Sequence, residues 1–201
     1  MTITAERLLR RGIQRQESGH LDEAEAIYGT LVERDRDNAD AWHLLSRVSL
    51  SRGQWKEAAA RVLQAIRRHP EIPAFHSTLG EILAVQGRTW EASLCFQEAV
   101  RLSPGFRSAL VNLGIALQNQ GQHRDACVAY WRAIQAEPDC AAAFRCLANA
   151  LRAQGRFDEA LECDREALRL RSDPAKAPVP PQGSDGSPAP VKKRGPARGS
   201  T

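Results

Sequence analysis

The sequence lacks any long apolar run, which excludes a membrane-spanning helix. Its longest unbroken apolar stretch is the six residues 126–131, whereas a transmembrane helix needs about 20 residues. The first residues, M-T-I-T-A-E-R, contain no apolar core of a secretory signal. We therefore expect a cytoplasmic protein without a membrane span.

Residue clusters typical of metal sites and catalytic centres are also missing. None of the five cysteines forms a C-x-x-C pair, so neither a disulfide framework nor a zinc site is indicated. The chain has no H-E-x-x-H, no G-x-S-x-G and no phosphate-binding glycine loop. The sequence predicts no metal, no cofactor and no catalytic residue.

Positive charge in excess is confined to the end of the chain. The formal net charge is +4, but residues 172–201 alone hold five Lys/Arg against two Asp. The rest of the chain holds 23 basic and 22 acidic side chains and is nearly neutral. This distribution does not favour a nucleic-acid surface on the body of the protein.

A repeat of fixed period organises most of the chain. Five glycines recur at one constant interval: Gly19, Gly53, Gly87, Gly121 and Gly155. Alanine follows each glycine five positions later, at Ala24, Ala58, Ala92, Ala126 and Ala160. Proline closes the middle units at Pro70, Pro104 and Pro138. The chain is therefore an array of five units.

Each unit carries two helical stripes of apolar or small residues separated by its glycine. In the fourth unit the first stripe contains Leu110, Leu113, Gly114 and Leu117. The second stripe contains Ala126, Tyr130, Ala133 and Ile134. Glycine suits the left-handed residue that ends a helix, and proline stops the next one. Five helix pairs in succession predict an α-solenoid.

The motif and its period resemble the tetratricopeptide repeat, whose pattern W-x2-L-G…A-x3-F…P extends over about 34 residues. The third unit matches it at Leu79, Gly80, Ala92, Phe96, Ala99 and Pro104. The terminal units depart most, with Arg36 at the proline position and Asp164 at the aromatic position. The resemblance implies an all-α, right-handed solenoid of about five repeats over residues 5–171. The repeats are 5–38, 39–72, 73–106, 107–140 and 141–171.

Two binding modes of this family are disfavoured by the residues present. The middle repeats are similar to those of O-linked N-acetylglucosamine transferase, in which asparagine recurs at the position of Asn112. Here the neighbouring units carry Leu44, Thr78 and Cys146 instead, so the asparagine ladder is broken. Chaperone-binding members hold a carboxylate with a basic residue followed four positions later by asparagine. Arg47, Glu81 and Ile115 occupy that later position, so this clamp is absent.

The resemblance also indicates which side chains line the concave groove formed by the first helices. Two positions of each first helix point inward: His43 and Arg47, Ser77 and Glu81, Val111 and Ile115, and Arg145 and Asn149. Asn112, Gln118 and Arg152 are expected to line the same side. This places an apolar patch in the middle of a polar groove, suited to an extended peptide or a helix. For any single residue, a solvated helix face is the alternative.

Four tryptophans divide into two classes. Trp42 and Trp55 occupy core positions of the repeat. Trp90 and Trp131 lie on second helices at phases that face the convex side. An exposed tryptophan is typical of an interface, and a ring lying flat on neighbouring side-chain stems is the alternative.

The predicted function is a non-catalytic scaffold or adaptor that binds a peptide or partner segment in the groove. The alternative is a substrate-recruiting or regulatory subunit of an enzyme complex, such as a glycosyl- or sulfotransferase on a separate chain. An enzymatic partner in the neighbouring reading frame would favour the alternative.

The segment 172–201 differs in composition from the repeats. It holds seven prolines and four glycines, with Val179 and Val191 as its large apolar residues, so we expect a disordered tail. Its basic cluster at 192–194 predicts a solubilising segment, with anionic-surface contact or a localisation signal as alternatives. Because no polar capping helix is evident, we expect weak self-association through Leu161, Leu168 and Leu170 of the fifth unit.

Overall fold

Ten α-helices in five antiparallel pairs make up the part of the chain that the computed structural model describes, residues 4–172. The first helices of the pairs are α1 (Ala5–Glu17), α3 (Ala39–Ser51), α5 (Pro73–Val85), α7 (Arg107–Asn119) and α9 (Ala141–Ala153). The second helices are α2 (Leu21–Arg34), α4 (Trp55–Arg68), α6 (Thr89–Leu102), α8 (His123–Ala136) and α10 (Phe157–Ser172). The pairs stack in chain order as the right-handed α-solenoid that the repeat predicts.

The turn inside each pair is set by its repeated glycine. Gly19, Gly53, Gly87, Gly121 and Gly155 all adopt φ between +71° and +78°. A residue with a Cβ rarely adopts this conformation, so glycine permits the first helix to end and the second to begin just after the turn. Acidic residues follow in the first turn of each second helix, where they complement the helix dipole.

Small residues let the two helices of a pair approach closely. A Cβ added to Gly114 of α7 would lie 2.4 Å from Cε1 of Tyr130 of α8. The same would hold for Gly80 against Phe96, at 2.6 Å, and for Gly12 against Tyr28, at 2.3 Å. The buried aromatic rings therefore occupy the volume that the glycines leave open, and they anchor these three pairs.

Alanine and leucine fill the contacts between pairs. The largest buried cluster runs from Leu83 of α5 through α6, α7, α8 and α9 to Cys163 of α10. Two smaller clusters join α1 to α3 and α3 to α5. The core is thus a continuous layer along the array, as expected when each repeat buries its apolar face against its neighbours.

The end of the array differs from the prediction in two details. Helix α10 extends to Ser172, one residue beyond the predicted end of the fifth repeat. Leu170, expected to be exposed, is buried, and it lines a cavity of about 430 Å³ with Phe144 and Pro138. Its phase turns it toward α9 rather than away from the array. The rest of the predicted disordered tail, including Val179, Val191 and the basic cluster, lies outside the described residues.

None of the helices between residues 4 and 172 is both long and apolar enough to cross a membrane.

Candidate functional site

The first helices form the inner layer of the solenoid. α3 contacts α5, α5 contacts α7, and α7 contacts α9. First helices that touch their counterparts in neighbouring pairs must lie on the shorter, inner side of a curved array. The groove is therefore lined by α3, α5, α7 and α9, as the resemblance implied.

A cavity of about 470 Å³ opens between α3, α5 and α7 in the middle of the array, and Trp55 of α4 with Thr89 and Phe96 of α6 completes its lining. Its apolar wall includes Leu50 of α3, Ala84 and Val85 of α5, and Ile115 of α7. Val85 and Ile115 are 58% and 41% exposed, although both are aliphatic. Glu81, Asn112 and Asn119 contribute the polar groups of the lining. An apolar cavity of this size with a few convergent polar groups is typical of a ligand site.

Glu81 is the charged side chain in the lining of this cavity. Partial burial raises the pKa of its carboxyl group, and the positive charge of Arg47 partly offsets this effect. Ser77 Oγ and Asn112 Nδ2 each donate a long hydrogen bond of 3.5 Å to Glu81 Oε1. The carboxylate is therefore incompletely satisfied within the protein and retains capacity to accept hydrogen bonds from a ligand.

His43 lies beside this site but is engaged within the protein. Its Nε2 lies 2.8 Å from Thr78 Oγ1, and its ring centroid lies 4.9 Å from that of Phe75. Burial, aided by the charge of Arg47, lowers the pKa of His43 to about 4. His43 is therefore neutral at physiological pH and cannot supply positive charge to the groove.

The remaining predicted groove residues divide between solvent and internal contacts. Arg47 is exposed and Val111 is half-buried. Ser77, which we expected on the groove surface, is buried and acts on the groove only through its bond to Glu81. Gln118 Oε1 accepts a 3.2 Å hydrogen bond from the Tyr130 hydroxyl, so the side chain is tied to the pair's own core.

Near the C-terminal end, Arg145 and Asn149 line a separate cavity of about 310 Å³ with Asp164, Leu168 and Arg171. Arg152 is exposed, but its guanidinium is engaged by its own repeat. It donates to Asn149 Oδ1 at 2.9 Å and forms a close ion pair with Asp164. Within the described residues, the structure thus brings Glu81, Asn112 and Ile115 together at one cavity and leaves Arg145 and Asn149 at another.

Eight cavity residues were not predicted as groove residues from sequence: Leu50, Trp55, Ala84, Val85, Thr89, Phe96, Ala116 and Asn119. The repeat itself carried a signal for some of them. Ala84 lies one period before Gln118, and Leu50 lies one period before Ala84. Including the residue equivalent to Gln118 in every repeat would therefore have predicted both Ala84 and Leu50 as groove residues.

The convex side carries two exposed tryptophans. Trp90 and Trp131 are 64% and 50% exposed, in agreement with their predicted outward phase. Trp42 and Trp55 are half-buried and pack against the core. Trp42 also borders an outer cavity of about 610 Å³ between α2 and α4, where its indole N–H donates to the Arg36 carbonyl at 3.0 Å.

No group of three or more His, Cys, Asp or Glu residues in the described range is arranged to hold a metal ion. The cysteines in that range are free and buried or half-buried.

Two family models match the chain. Residues 71–171 match the middle TPR-like domain of cilia and flagella-associated protein 70, and residues 16–82 match a tetratricopeptide repeat model. Together these matches extend from the first repeat to the end of the fifth. A search of curated proteins found no match.

Several solved structures share the fold. The crystal structure of MamA is 22% identical with a TM-score of 0.73, and the match covers 82% of this chain and 96% of MamA. TTC0263, a thermophilic TPR protein of Thermus thermophilus, is 21% identical with a TM-score of 0.69, and the match covers 86% of this chain and 94% of that chain.

YrrB, described as a TPR protein with an unusual peptide-binding site, is 22% identical with a TM-score of 0.66. That match covers 86% of this chain and 89% of YrrB. At such identities these likenesses establish the architecture alone. With the repeat motif, the helix pairs and the two family models in agreement, the chain belongs to the tetratricopeptide repeat family.

Proposed function

We propose that this tetratricopeptide repeat protein is a non-catalytic scaffold that binds a peptide segment of a partner in its concave groove. Proteins of this repeat class are interaction scaffolds at the general level. The observation that carries the finer proposal is the cavity at the groove centre, where exposed Val85 and Ile115 surround a partly buried carboxylate. A related fold in YrrB is described as having a peptide-binding site, which is consistent with this use.

The chemistry of the cavity suggests how a peptide would be held. An apolar side chain of the peptide would bury the exposed faces of Ile115 and Val85, which stabilises the complex by about 25 cal/mol per Å² of apolar surface removed from water. The side-chain amides of Asn112 and Asn119 can pair with the peptide backbone, and Glu81 can accept from an N–H or ammonium group. Because the helices are already ordered, little conformational entropy of the scaffold is lost on binding.

A selection from a phage-displayed library of random linear peptides would test this proposal. The dissociation constant of a selected peptide would then be measured by fluorescence anisotropy for the wild type and for single variants. Ile115→Asp should weaken binding at least about tenfold, because it places a second carboxylate in the apolar wall. Asn112→Ala should weaken binding by about three- to thirtyfold through the loss of hydrogen bonds.

Val128→Asp supplies the matched control. Val128 is an aliphatic residue that is 59% exposed on α8 and is not part of the cavity lining. This variant should bind as the wild type does. If the selected peptides bind Ile115→Asp and wild type equally, the central cavity is not the binding site.

A further inference from the structure

The last helix presents a stripe of apolar side chains to solvent. Phe157, Leu161 and Leu168 of α10 are 68%, 50% and 59% exposed. They are spaced at i, i+4 and i+11, and with Asp164 and Arg171 they form a continuous line along one face of the helix. The line is about 21 Å long, from about 1.5 Å of rise per residue.

In the earlier repeats the same positions lie where the next repeat packs. Val32, Val100 and Ile134, at the phase of Leu168, are all buried. At the phase of Leu161, Cys127 accepts a 3.1 Å hydrogen bond from Gln154 of the next repeat, and Glu25 pairs with Arg52 of the next repeat at 2.6 Å. The exposed stripe of α10 is therefore an inter-repeat surface whose covering repeat is absent from the described residues.

The opposite end of the array does not complement this stripe. In internal repeats, the first helix faces the preceding repeat with buried apolar residues at two repeat positions. One position holds Phe75, Ala109 and Ala143, and the other holds Val48, Ile82 and Ala116. At these phases α1 carries Arg7 and Gln14, and Arg11 stands at the leucine position between them. Stacking α1 of one copy on α10 of another would bury polar groups against Leu161 and Leu168.

The charges of α10 are instead complementary to α10 itself in antiparallel orientation. Its first half carries four acidic residues, Asp158, Glu159, Glu162 and Asp164, and no base, whereas its second half carries Arg165, Arg169 and Arg171 against Glu166. Among the described residues, Asp158, Glu162, Arg165 and Arg171 form no hydrogen bond or ion pair, and all four are exposed. An antiparallel second helix would set the acidic half against the basic half.

We infer that the C-terminal face pairs with the same face of a second copy, as a two-fold dimer with the α10 helices antiparallel. Leu161 of each copy then packs against Leu168 of the other, twice. Phe157 lies against the guanidinium of Arg171 of the other copy, a cation–π contact. Asp164 lies near the two-fold axis, where its charge is already compensated by Arg152 of its own chain.

This arrangement is isologous and closes after two copies, so it predicts a dimer rather than a filament. It leaves the cavity of the proposed peptide site open, because none of the residues lining that cavity lies on α10. The second cavity, which Leu168 and Arg171 share with Arg145 and Asn149, lies at the proposed interface. The inference is therefore independent of the proposed peptide site.

Sedimentation equilibrium of the full chain would test the dimer. An interface built on one helix belongs to the weak class, so the concentration should run from about 10 to about 500 µM. The mean mass should rise from 22.2 kDa toward twice that value. Leu168→Glu should raise the dissociation constant at least about 100-fold, because each dimer contains the substitution twice. Leu94→Glu, at an exposed leucine of α6, should leave the mass unchanged.

A charge exchange tests the antiparallel register. Asp158→Arg alone and Arg171→Asp alone should each weaken association, because each sets like charges opposite one another. The double variant Asp158→Arg/Arg171→Asp should associate more tightly than either single variant, because opposite charges again face each other, although the cation–π contact of Arg171 is lost. Within one chain these two side chains lie about 20 Å apart along α10, so restoration can arise only between copies.

Four outcomes would overturn the inference. These are a wild-type monomer at every concentration, a dimer insensitive to Leu168→Glu, species larger than a dimer, and a double variant as weak as the single ones. The monomer outcome has one specific form. If the full chain is monomeric and its α10 amides exchange more slowly than those of a chain lacking residues 173–201, the chain's own C-terminal segment covers the face and the dimer inference is overturned.

Discussion

At the scale of single residues, the glycine of the first helix and the aromatic of the second vary together within the array. Gly12, Gly80 and Gly114 face Tyr28, Phe96 and Tyr130. In the second and fifth repeats the aromatic position holds Val62 and Asp164, and the glycine position holds Ser46 and Ala148. A Cβ is thus present only where the ring is absent, which is the result expected when the two compete for one volume.

This competition predicts a measurable coupling. Gly114→Ala should lower the free energy of unfolding by about 2 kcal/mol, because its Cβ would overlap the Tyr130 ring, despite a gain in helix propensity of about 1 kcal/mol. In a Tyr130→Val background the same substitution should cost at least about 1 kcal/mol less. Chemical denaturation of the four proteins measures the cycle.

Gly29→Ala is the control for that cycle. Gly29 lies within α2, and a Cβ there would meet nothing within 4 Å. It should be neutral or stabilising by up to about 1 kcal/mol. Additive effects of Gly114→Ala and Tyr130→Val would contradict the steric explanation.

His43 predicts a second effect at this scale, on pH dependence. Its pKa is about 4 in the folded state, against an ordinary value of 6.5. The unfolded chain therefore binds a proton that the folded chain does not bind, and stability falls as the pH decreases from about 6.5 toward about 4. The loss from this residue is about 2 kcal/mol between pH 7.5 and pH 4.5.

Urea denaturation at these two pH values would measure the effect. His43→Gln removes the titrating group, so the variant should lose less stability on acidification than the wild type does. Other titrating groups are common to both proteins and cancel in the difference. Equal losses in wild type and variant would show that His43 is not held in its neutral form.

At the scale of helices, the contacts between repeats recur at one position. Gln120 Nε2 donates to the Thr89 carbonyl at 3.2 Å, and Gln154 Nε2 donates to the His123 carbonyl at 3.0 Å. Each bond joins the end of a first helix to the start of the preceding second helix. In the second repeat, Arg52 takes this position and pairs with Asp22 at 2.5 Å. The third repeat has Gln86, whose side chain makes no such bond among the described residues.

The chain therefore contains its own matched pair of glutamines. Gln154→Ala should lower the free energy of unfolding by about 1 kcal/mol, the net contribution of a part-buried hydrogen bond. Gln86→Ala should change it by less than about 0.5 kcal/mol, as for an ordinary exposed side chain. Thermal denaturation followed by circular dichroism distinguishes the two. Equal effects would mean that the inter-repeat bond adds nothing to stability.

The helices could be predicted from the sequence more fully than the site. The glycine turns, helix pairs and close glycine–aromatic contacts all follow from the constant period, because each depends on the residue type at one phase. The internal hydrogen bonds and ion pairs of Ser77, Gln118 and Arg152 do not follow from the period. They depend on which neighbouring side chain each rotamer reaches. Leu170 was misplaced because it follows the exposed Leu168 by two residues, which turns its side chain about 200° around the helix axis, to the buried side.

At the scale of the whole molecule, the array behaves as a stack in which each repeat contacts mainly its neighbours. The faces that α7 and α9 present to the preceding repeat are built from the same residue types. They are Ala109 and Ala143, Leu113 and Leu147, Ala116 and Ala150, Leu117 and Leu151, and Gln120 and Gln154. Helix α9 is therefore equipped to pack on α6 in place of α7.

Deleting residues 107–140 should consequently give a folded four-repeat protein. The deletion removes one whole period and joins Phe106 to Ala141, so α9 would meet α6 in the register that α7 now has. We expect the same mean residue ellipticity as the wild type and a single unfolding transition at lower temperature, because one nearest-neighbour interface is lost. Deleting 107–136 instead breaks the period and should lower helicity per residue. If both deletions lose helicity alike, stability depends on contacts beyond neighbouring repeats, and the array does not fold as a one-dimensional stack.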